Sequence, residues 1–321
     1  MELEILATES LGVRGMCCRV IVGDRQILID PGVALGYQRH NLLPHPCQIV
    51  VGIKTRARII RALANATDLV FSHFHGDHVP LLHANPYQLA FKQLPSHVTH
   101  IPCWSKAKDD LSSHMQRRAQ DLEALLGIHM KDAEGRSIGP LSFSQAVHHG
   151  TPEGRFGTVM MTRVAMQGQV FVHASDIQLF DDATVDIILD WEPDIVFTAG
   201  PPLYIQTLDD LMKSRAWENG VRLAKHLSAL IVDHHLLRSV QGSNWLDRLS
   251  QAAGKKVFCA ADFMHQPRCL LEARRKELYE AIPVPGNWHK DYEKGNIGDL
   301  TDFATCEILR ECSSFINDFF V

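Results

Sequence analysis

The sequence predicts one continuous α/β domain. Short apolar runs alternate with helical patterns along the whole chain, as mixed layered folds require. These runs stop repeatedly at Asp or His. No repeat and no low-complexity linker interrupts the 321 residues.

In chain order, "RQILIDPG" is a strand that stops at Asp30, where Pro31-Gly32 turns the chain. Val33 to Gly52 contains prolines and no regular period, and predicts a surface excursion. Arg56 to Asn65 predicts a helix with Ile59, Ile60 and Leu63 on one face. "DLVFSH" is the next strand. Ser105 to Leu126 predicts an amphipathic helix, with Leu111, Met115, Ala119, Leu122 and Leu126 along one stripe and Gly127 at the C-cap position. The runs "LSFSQAV", "GQVFVHASD", "PDIVFTAG" and "SALIVDHH" all have strand character. Helical patterns surround Val185 to Leu189 and Leu208 to Trp217, and "CLLEARRKELYEAI" is the clearest helix of a mainly helical tail.

Composition excludes several classes. Hydrophobic residues make up 45% and charged residues 21%, ordinary for a globular chain able to bury a large core. The net charge of −5 gives no bulk attraction to nucleic acid or acidic membranes. The basic stretch "KTRARIIR" alternates with apolar residues at helical spacing and predicts a solvated helix face rather than a nucleic-acid groove. Eight Cys without a CxxC pair predict buried thiols in a reducing compartment. "MELEILATES" lacks the basic and apolar regions of a signal peptide, and no apolar segment is long enough to span a bilayer. The expectation is a cytoplasmic protein.

Ligand-type side chains collect where the strands stop: Asp30, His73, His148 and His149, Asp176, then Asp233, His234 and His235. Binding groups of open α/β sheets gather just beyond strand ends. A lone Asp before Pro-Gly is usually a turn former, and a lone strand-end His a hydrogen-bonded one, so joint occurrence carries the argument. "FSHFHGDHVP" is stronger, with His73, His75, Asp77 and His78 within six residues. His73 and His75 point the same way along an extended segment, and Gly76 lets the chain turn so that Asp77 and His78 face a second point. Imidazoles with a carboxylate are the ligands that Zn²⁺ and similar divalent ions prefer.

His73-x-His75-x-Asp77-His78 resembles the central motif of the metallo-β-lactamase-fold hydrolases. Asp30 then resembles the first-motif aspartate, His149 in "VHHG" the third-motif histidine, Asp176 in "HASD" the fourth-motif aspartate, and a histidine of "DHH" the fifth-motif ligand. The resemblance implies an αββα sandwich, two β-sheets packed face to face with helices outside, over residues 1–282. Residues 283–321 are expected to form a C-terminal, partly helical tail to which the resemblance assigns no role. "TESLGVRGM", "ILIDPGVAL", "LLPHPCQ", "ASDIQ", "AGPPLY", "IVDHHLLR" and "LLEARRKELY" further resemble a largely archaeal branch of predicted metal-dependent hydrolases. That branch tends to carry Pro where His148 stands, which favours His149 as ligand. Strand alternation decides neither His148 against His149 nor His234 against His235. Leu230, Val232 and His234 would share a face, and Arg238 follows four residues later as in a ribonuclease Z-like pattern, so His234 is the expected ligand.

By resemblance, two divalent ions are expected, zinc first, with manganese or iron as alternatives. His73, His75 and His149 would hold one; Asp77, His78 and His234 would hold the other; Asp176 would bridge them. A hydroxide between the ions would attack a carbonyl or phosphoryl centre, with Asp77 orienting it and accepting its proton. Asp30 would fix a ligand imidazole by accepting its other N–H. Arg14 and Arg238 could clamp a phosphate or carboxylate, and His235 could protonate the leaving oxygen. The expected substrate is a small molecule or short nucleic acid, with phosphodiester cleavage ahead of ester, thioester or lactone cleavage. Competing readings are an iron redox enzyme on the same fold and a non-catalytic metal-binding scaffold. "IVDHH" alone also suggests a DHH phosphoesterase, although such enzymes carry DHH early and a GGGH element later, absent here.

Overall fold

The structure is a computed structural model and describes residues 1–151, 157–296, 300–304 and 309. Six strands form the first sheet: β1 (Glu2–Ala7), β2 (Cys17–Val22), β3 (Arg25–Ile29), β4 (Asp68–Phe71), β5 (Cys103–Ser105) and β6 (Met130–Asp132), in that spatial order. The first three are antiparallel and β3 to β6 are parallel. In chain order then come β7 (Ser137–Ile138), β8 (Leu141–Phe143), β9 (Val147–His148), β10 (Thr158–Val159), β11 (Thr162–Met166), β12 (Gln169–Ser175), β13 (Ile195–Thr198) and β14 (Ala229–Val232). β9 and β10 pair alone; the second sheet runs β14-β13-β12-β11-β8-β7, with β12, β13 and β14 parallel.

Alternation along the first sheet explains the layering. Cys18, Val20, Ile27, Ile29 and Val70 join Val164, Phe171, Val172 and Val196 of the second sheet in one buried cluster. Their neighbours Cys17, Leu28, Leu69 and Phe71 point the other way, against α1 (Pro46–Leu63) and α2 (Ser113–Leu126). A period of two on a sheet buried on both faces produces this division. α3 (Asp182–Asp190), α4 (Asp210–His226) and α5 (Val240–Ala253) cover the second sheet through Val185, Ile188, Ala216, Leu223, Leu246 and Leu249. The architecture is the expected αββα sandwich.

Several element boundaries differ from expectation. α1 starts at Pro46, inside the stretch expected to be an excursion, because His45 Nδ1 accepts from Cys47 N at 3.2 Å and Gln48 Oε1 accepts from His45 N at 3.0 Å. Pro46 occupies the first turn, where its missing N–H costs nothing. α2 starts eight residues later than expected: Ser105 is spent in β5, and Ser112 Oγ caps the helix by accepting from Met115 N at 3.4 Å. Met115, Ala119, Leu122 and Leu126 are nonetheless its buried stripe. Of "CLLEARRKELYEAI", only α7 (Arg275–Ala281) is helical; the short α6 (Ala260–Phe263) precedes it. α5 was not anticipated, although Gly242, Trp245, Leu246 and Leu249 carry a helical period. Beyond Pro283, α8 (Trp288–Glu293) places Tyr292 against Tyr87, with ring centroids 5.6 Å apart, and Ala304 and Leu309 pack with Cys47 and Val50 of α1. No helix among the described residues is long and apolar enough to cross a membrane.

Candidate metal centre

The expected ligands converge because each stands just past a strand. β3 ends before Asp30, β4 before Ser72 and His73, β9 before His149, β12 before Asp176, and β14 before His234 and His235. Gly32 permits the closest approach: a Cβ there would overlap the backbone of His78 and Val79. The Asp30-Pro31-Gly32 turn therefore lies directly against the histidine-rich loop.

Asp176 is the centre. Its Oδ2 lies 2.9 Å from His149 Nε2, 3.4 Å from His73 Nε2 and 3.5 Å from His75 Nδ1. Its Oδ1 lies 3.0 Å from His78 Nε2 and 3.5 Å from His234 Nε2. Asp77 Oδ2 stands 3.4 Å from that same His234 nitrogen. One carboxylate thus divides its oxygens between two groups of ligands.

These distances fit metal coordination. Tetrahedral ligands about 2.0–2.1 Å from a zinc ion lie roughly 3.3 Å from one another. His78 Nε2 and Asp176 Oδ1 are both buried, face one another, and form no hydrogen bond of acceptable geometry. His78 Nδ1 lies 2.9 Å from Asp30 Oδ2, so its N–H belongs on that side. A bare nitrogen lone pair then faces a carboxylate, an arrangement that calls for a cation. Among the described residues, four groups of three ligands meet the spacing: Asp30, His73 and His78; His73, His75 and Asp176; Asp77, His78 and His234; and His149, Asp176 and His235. The residues present could hold a metal ion, and they fit one better than an empty polar cluster.

Electrostatics agree. Burial, then His78 and His75, lowers His73 to about 3, and burial, then Arg238, lowers His234 to about 4. Both are neutral at neutral pH, the form that ligates. Burial opposes charge on His78, yet Asp176 and Asp30 hold its pKa well above the usual value, so without a metal its Nε2 keeps a proton whose place a cation would take. Burial would also raise Asp77 and Asp176; the surrounding imidazoles, and Arg238 for Asp77, keep both well below the carboxylate range.

Asp30 is fully buried and makes four contacts. Its Oδ1 accepts from Ser72 N at 2.8 Å; its Oδ2 accepts from Ser72 Oγ at 2.6 Å and Ser175 Oγ at 3.3 Å, and meets His78 Nδ1. Sequence reasoning missed Ser72 and Ser175, although both stand next to ligands.

Of the two histidine pairs, His149 is buried among the ligands, while His148 lies on β9 opposite Thr158 and enters none of the ligand groups. Both His234 and His235 point inward, stacked with centroids 4.8 Å apart. β14 ends at Val232, so alternation no longer governs them. His235 Nε2 lies 3.5 Å from Asp176 Oδ2, on the side of His149, and Gln178 Nε2 is 3.4 Å from its Nδ1. Asp233 turns away: its carboxylate accepts from Thr8 Oγ1, Ser10 N and Ala260 N at 2.8–2.9 Å. It ties the chain's first turn to α6, outside the four ligand groups, which leaves the DHH phosphoesterase reading without its aspartate.

The two arginines differ. Arg238 is buried; its Nε donates to Glu9 Oε1 at 2.9 Å, its Nη1 to Tyr204 Oη at 3.3 Å, and its Nη2 lies 2.7 Å from His234 Nε2 and 3.5 Å from Asp77 Oδ2. Arg14 closes its guanidinium fork on Glu272, at 2.8 and 2.5 Å, rather than on the site. Burial and the nearby Glu272 raise Glu9, whereas Arg14 and Arg238 hold Glu272 down against its burial. Glu9, within the quoted "TESLG", and Tyr204, within "AGPPLY", were not singled out.

No protein family model matches the chain. A UPF0282 protein of Methanosarcina mazei is 45% identical over 298 residues, covering 93% of this chain and 98% of that one. Another, from Methanopyrus kandleri, is 33% identical over 296 residues, covering 87% and 99%. Among solved structures, the metallo-beta-lactamase fold protein YhfI from Bacillus subtilis is similar with TM-score 0.48 and 13% identity, over 80% of this chain and 95% of that one. Tm1679, a metal-dependent hydrolase of the beta-lactamase superfamily, has TM-score 0.48 and 11% identity over 80% and 94%.

Proposed function

The chain belongs to the UPF0282 family, and we propose that it is a dinuclear metal-dependent hydrolase that prefers phosphodiesters over esters, thioesters or lactones. The observation that carries this reading is the carboxylate of Asp176, whose oxygens face two separate ligand groups. In this reading His73, His75 and His149 hold one ion, Asp77, His78 and His234 hold the other, and Asp176 serves both. When bound, divalent cations would supply Lewis acidity toward a substrate oxygen and would lower the pKa of water toward neutrality.

The protein's own groups do the rest. Asp30 accepts the Nδ1 proton of His78 and so keeps Nε2 free of hydrogen. Asp77, partly open to solvent, orients the attacking water and accepts its proton. His235 stands beside the ligands, where its ring can protonate a departing oxygen. Arg238 supports the phosphodiester preference: Glu9 positions it, and its Nη2 lies where a non-bridging phosphate oxygen would gain a charge-assisted hydrogen bond.

The test is metal analysis of purified protein, followed by a panel of a generic phosphodiester, a lactone, a thioester and short RNA with zinc and then manganese. Two equivalents of metal and turnover of a phosphodiester are expected. Arg238→Lys should lower kcat/KM on that substrate by about 1–3 kcal/mol in barrier terms. Rapid turnover of the lactone or thioester alone would refute the preference, and a single equivalent of iron would favour redox chemistry.

A further inference from the structure

We propose that Arg39, backed by the ring of Tyr204, is a second anion subsite, so that the substrate carries a further phosphate beside the reacting one. This inference rests on the phosphodiester reading and adds a requirement to it.

The loop that carries Arg39 is rigidly built. Arg39 and Leu42 exchange backbone hydrogen bonds at 3.0 and 2.9 Å, and the residues between them, His40 and Asn41, have φ of 56° and 60°. Positive φ at both central positions is the tight turn that best matches strand twist. Arg275, fully buried, spends its guanidinium on the same loop: Nη2 donates to Gly36 O at 2.7 Å, Nη1 to Leu42 O at 2.9 Å, and Nε to Gln48 Oε1 at 2.9 Å. A Cβ at Gly36 would overlap the Arg14 guanidinium and the Glu272 carboxylate, so this loop is pressed onto a buried ionic pair.

Arg39 is thereby held against the backbone of Arg238 and the ring of Tyr204. Its Nη2 donates to Arg238 O at 2.7 Å, and its Cζ lies 4.4 Å from the Tyr204 ring centroid. The Tyr204 hydroxyl in turn meets Arg238 Nη1, and Arg238 Nη2 faces Asp77. Arg14 and Arg238 each have a carboxylate partner; among the described residues none pairs with Arg39. Its Nε–H is buried and has no acceptor among the described residues. A planar cation, stacked on an aromatic face, hydrogen-bonded to the backbone of Arg238 and without a carboxylate partner among the described residues, suits capture of a phosphate through its remaining N–H groups. If Arg39 served only to hold the Arg238 carbonyl, its loss would weaken all ligands alike.

The experiment uses the metal-loaded protein. Calorimetry with thymidine 3′,5′-bisphosphate and thymidine 5′-monophosphate measures the second phosphate, and citrate probes carboxylates. Wild type should bind the bisphosphate about tenfold more tightly than the monophosphate, the size of one charge-assisted contact. Arg39→Ala should erase that preference, weakening the bisphosphate about tenfold more than the monophosphate, and Arg39→Lys should restore part of it. The thermal midpoint of Arg39→Lys checks that the loop is intact. On p-nitrophenyl esters of thymidine 5′-phosphate with and without a 3′-phosphate, Arg39→Ala should raise KM about tenfold more for the 3′-phosphorylated ester than for the other. Equal weakening of both nucleotides, no wild-type preference, or equally Arg39-dependent binding of citrate would overturn the proposal. If neither ester turns over while the Arg39-dependent preference remains, the phosphodiester reading falls and the subsite stands.

Discussion

Replacing Asp30 by Asn isolates what this carboxylate does for the metal centre. The two side chains have the same shape, so the amide oxygen of the Asp30→Asn variant can still accept from Ser72 N, now held at 2.8 Å. The amide –NH₂ would then replace the oxygen that meets His78 Nδ1 at 2.9 Å. An amide donates where a carboxylate accepts, so His78 Nδ1 must become the acceptor and its proton must move to Nε2. Nε2 is the atom that faces Asp176 Oδ1 at 3.0 Å, and a protonated nitrogen cannot ligate. Loss of an orienting partner of this kind costs about 10–100-fold in metal affinity. That corresponds to about 1.4–2.7 kcal/mol, felt by the ion that His78 would hold. Fold stability without metal should change less, because the buried Ser72 N–H keeps its acceptor. Asp30→Ala, by contrast, strands Ser72 N–H and His78 Nδ1, while the Ser72 and Ser175 hydroxyls still have one another, and should destabilise the metal-free protein by about 2–6 kcal/mol. Competition with a chelator, read by metal analysis, gives the affinities; thermal melts of the stripped protein give the stabilities. Two full-affinity equivalents in Asp30→Asn would refute the argument that Asp30 sets the His78 tautomer.

Three further outcomes are expected. His149→Ala and His234→Ala should each lose about one equivalent of metal, whereas His148→Ala should keep both, and metal content decides; retention by His149→Ala with loss by His148→Ala would reverse the assignment. Chelator-treated protein should lose thermal stability as pH falls from 6.5 to about 4. His73 and His234 have folded pKa values near 3 and 4, so the unfolded chain binds more protons in that window. His78, raised, acts in the opposite sense, with stability present below 6.5 and lost above neutrality; a midpoint unchanged between pH 6.5 and 4 would contradict neutral buried imidazoles. Gly32→Ala should cost about 3 kcal/mol or more, because the new Cβ overlaps backbone that cannot yield, and denaturant melts that match wild type would contradict that packing.

Much of this was legible in the sequence because it depends on short-range pattern. A period of two marked the strands of the core, and polar residues at their ends marked where ligands gather. The histidine-rich loop is one local segment, so His73, His75, Asp77 and His78 could be read together. Capping explains why boundaries were read less well: His45 and Ser112 set where α1 and α2 start, and apolar spacing carries no trace of either. Periodicity also stops informing where a strand stops. His234 and His235 lie beyond the last residue of β14 and both turn inward, so alternation cannot separate them. Tertiary structure alone could decide which partners meet over long separations. Arg14 and Arg238 have the same chemistry, yet Glu272 takes one and Glu9 places the other beside His234, across 258 and 229 residues of chain. Arg39 has no local signal at all; its place over Tyr204 arises because buried Arg275, far along the chain, holds its loop there. Residue types are fixed by the order of the chain, but pairing among like charges is decided by which buried groups must be satisfied when the two sheets close.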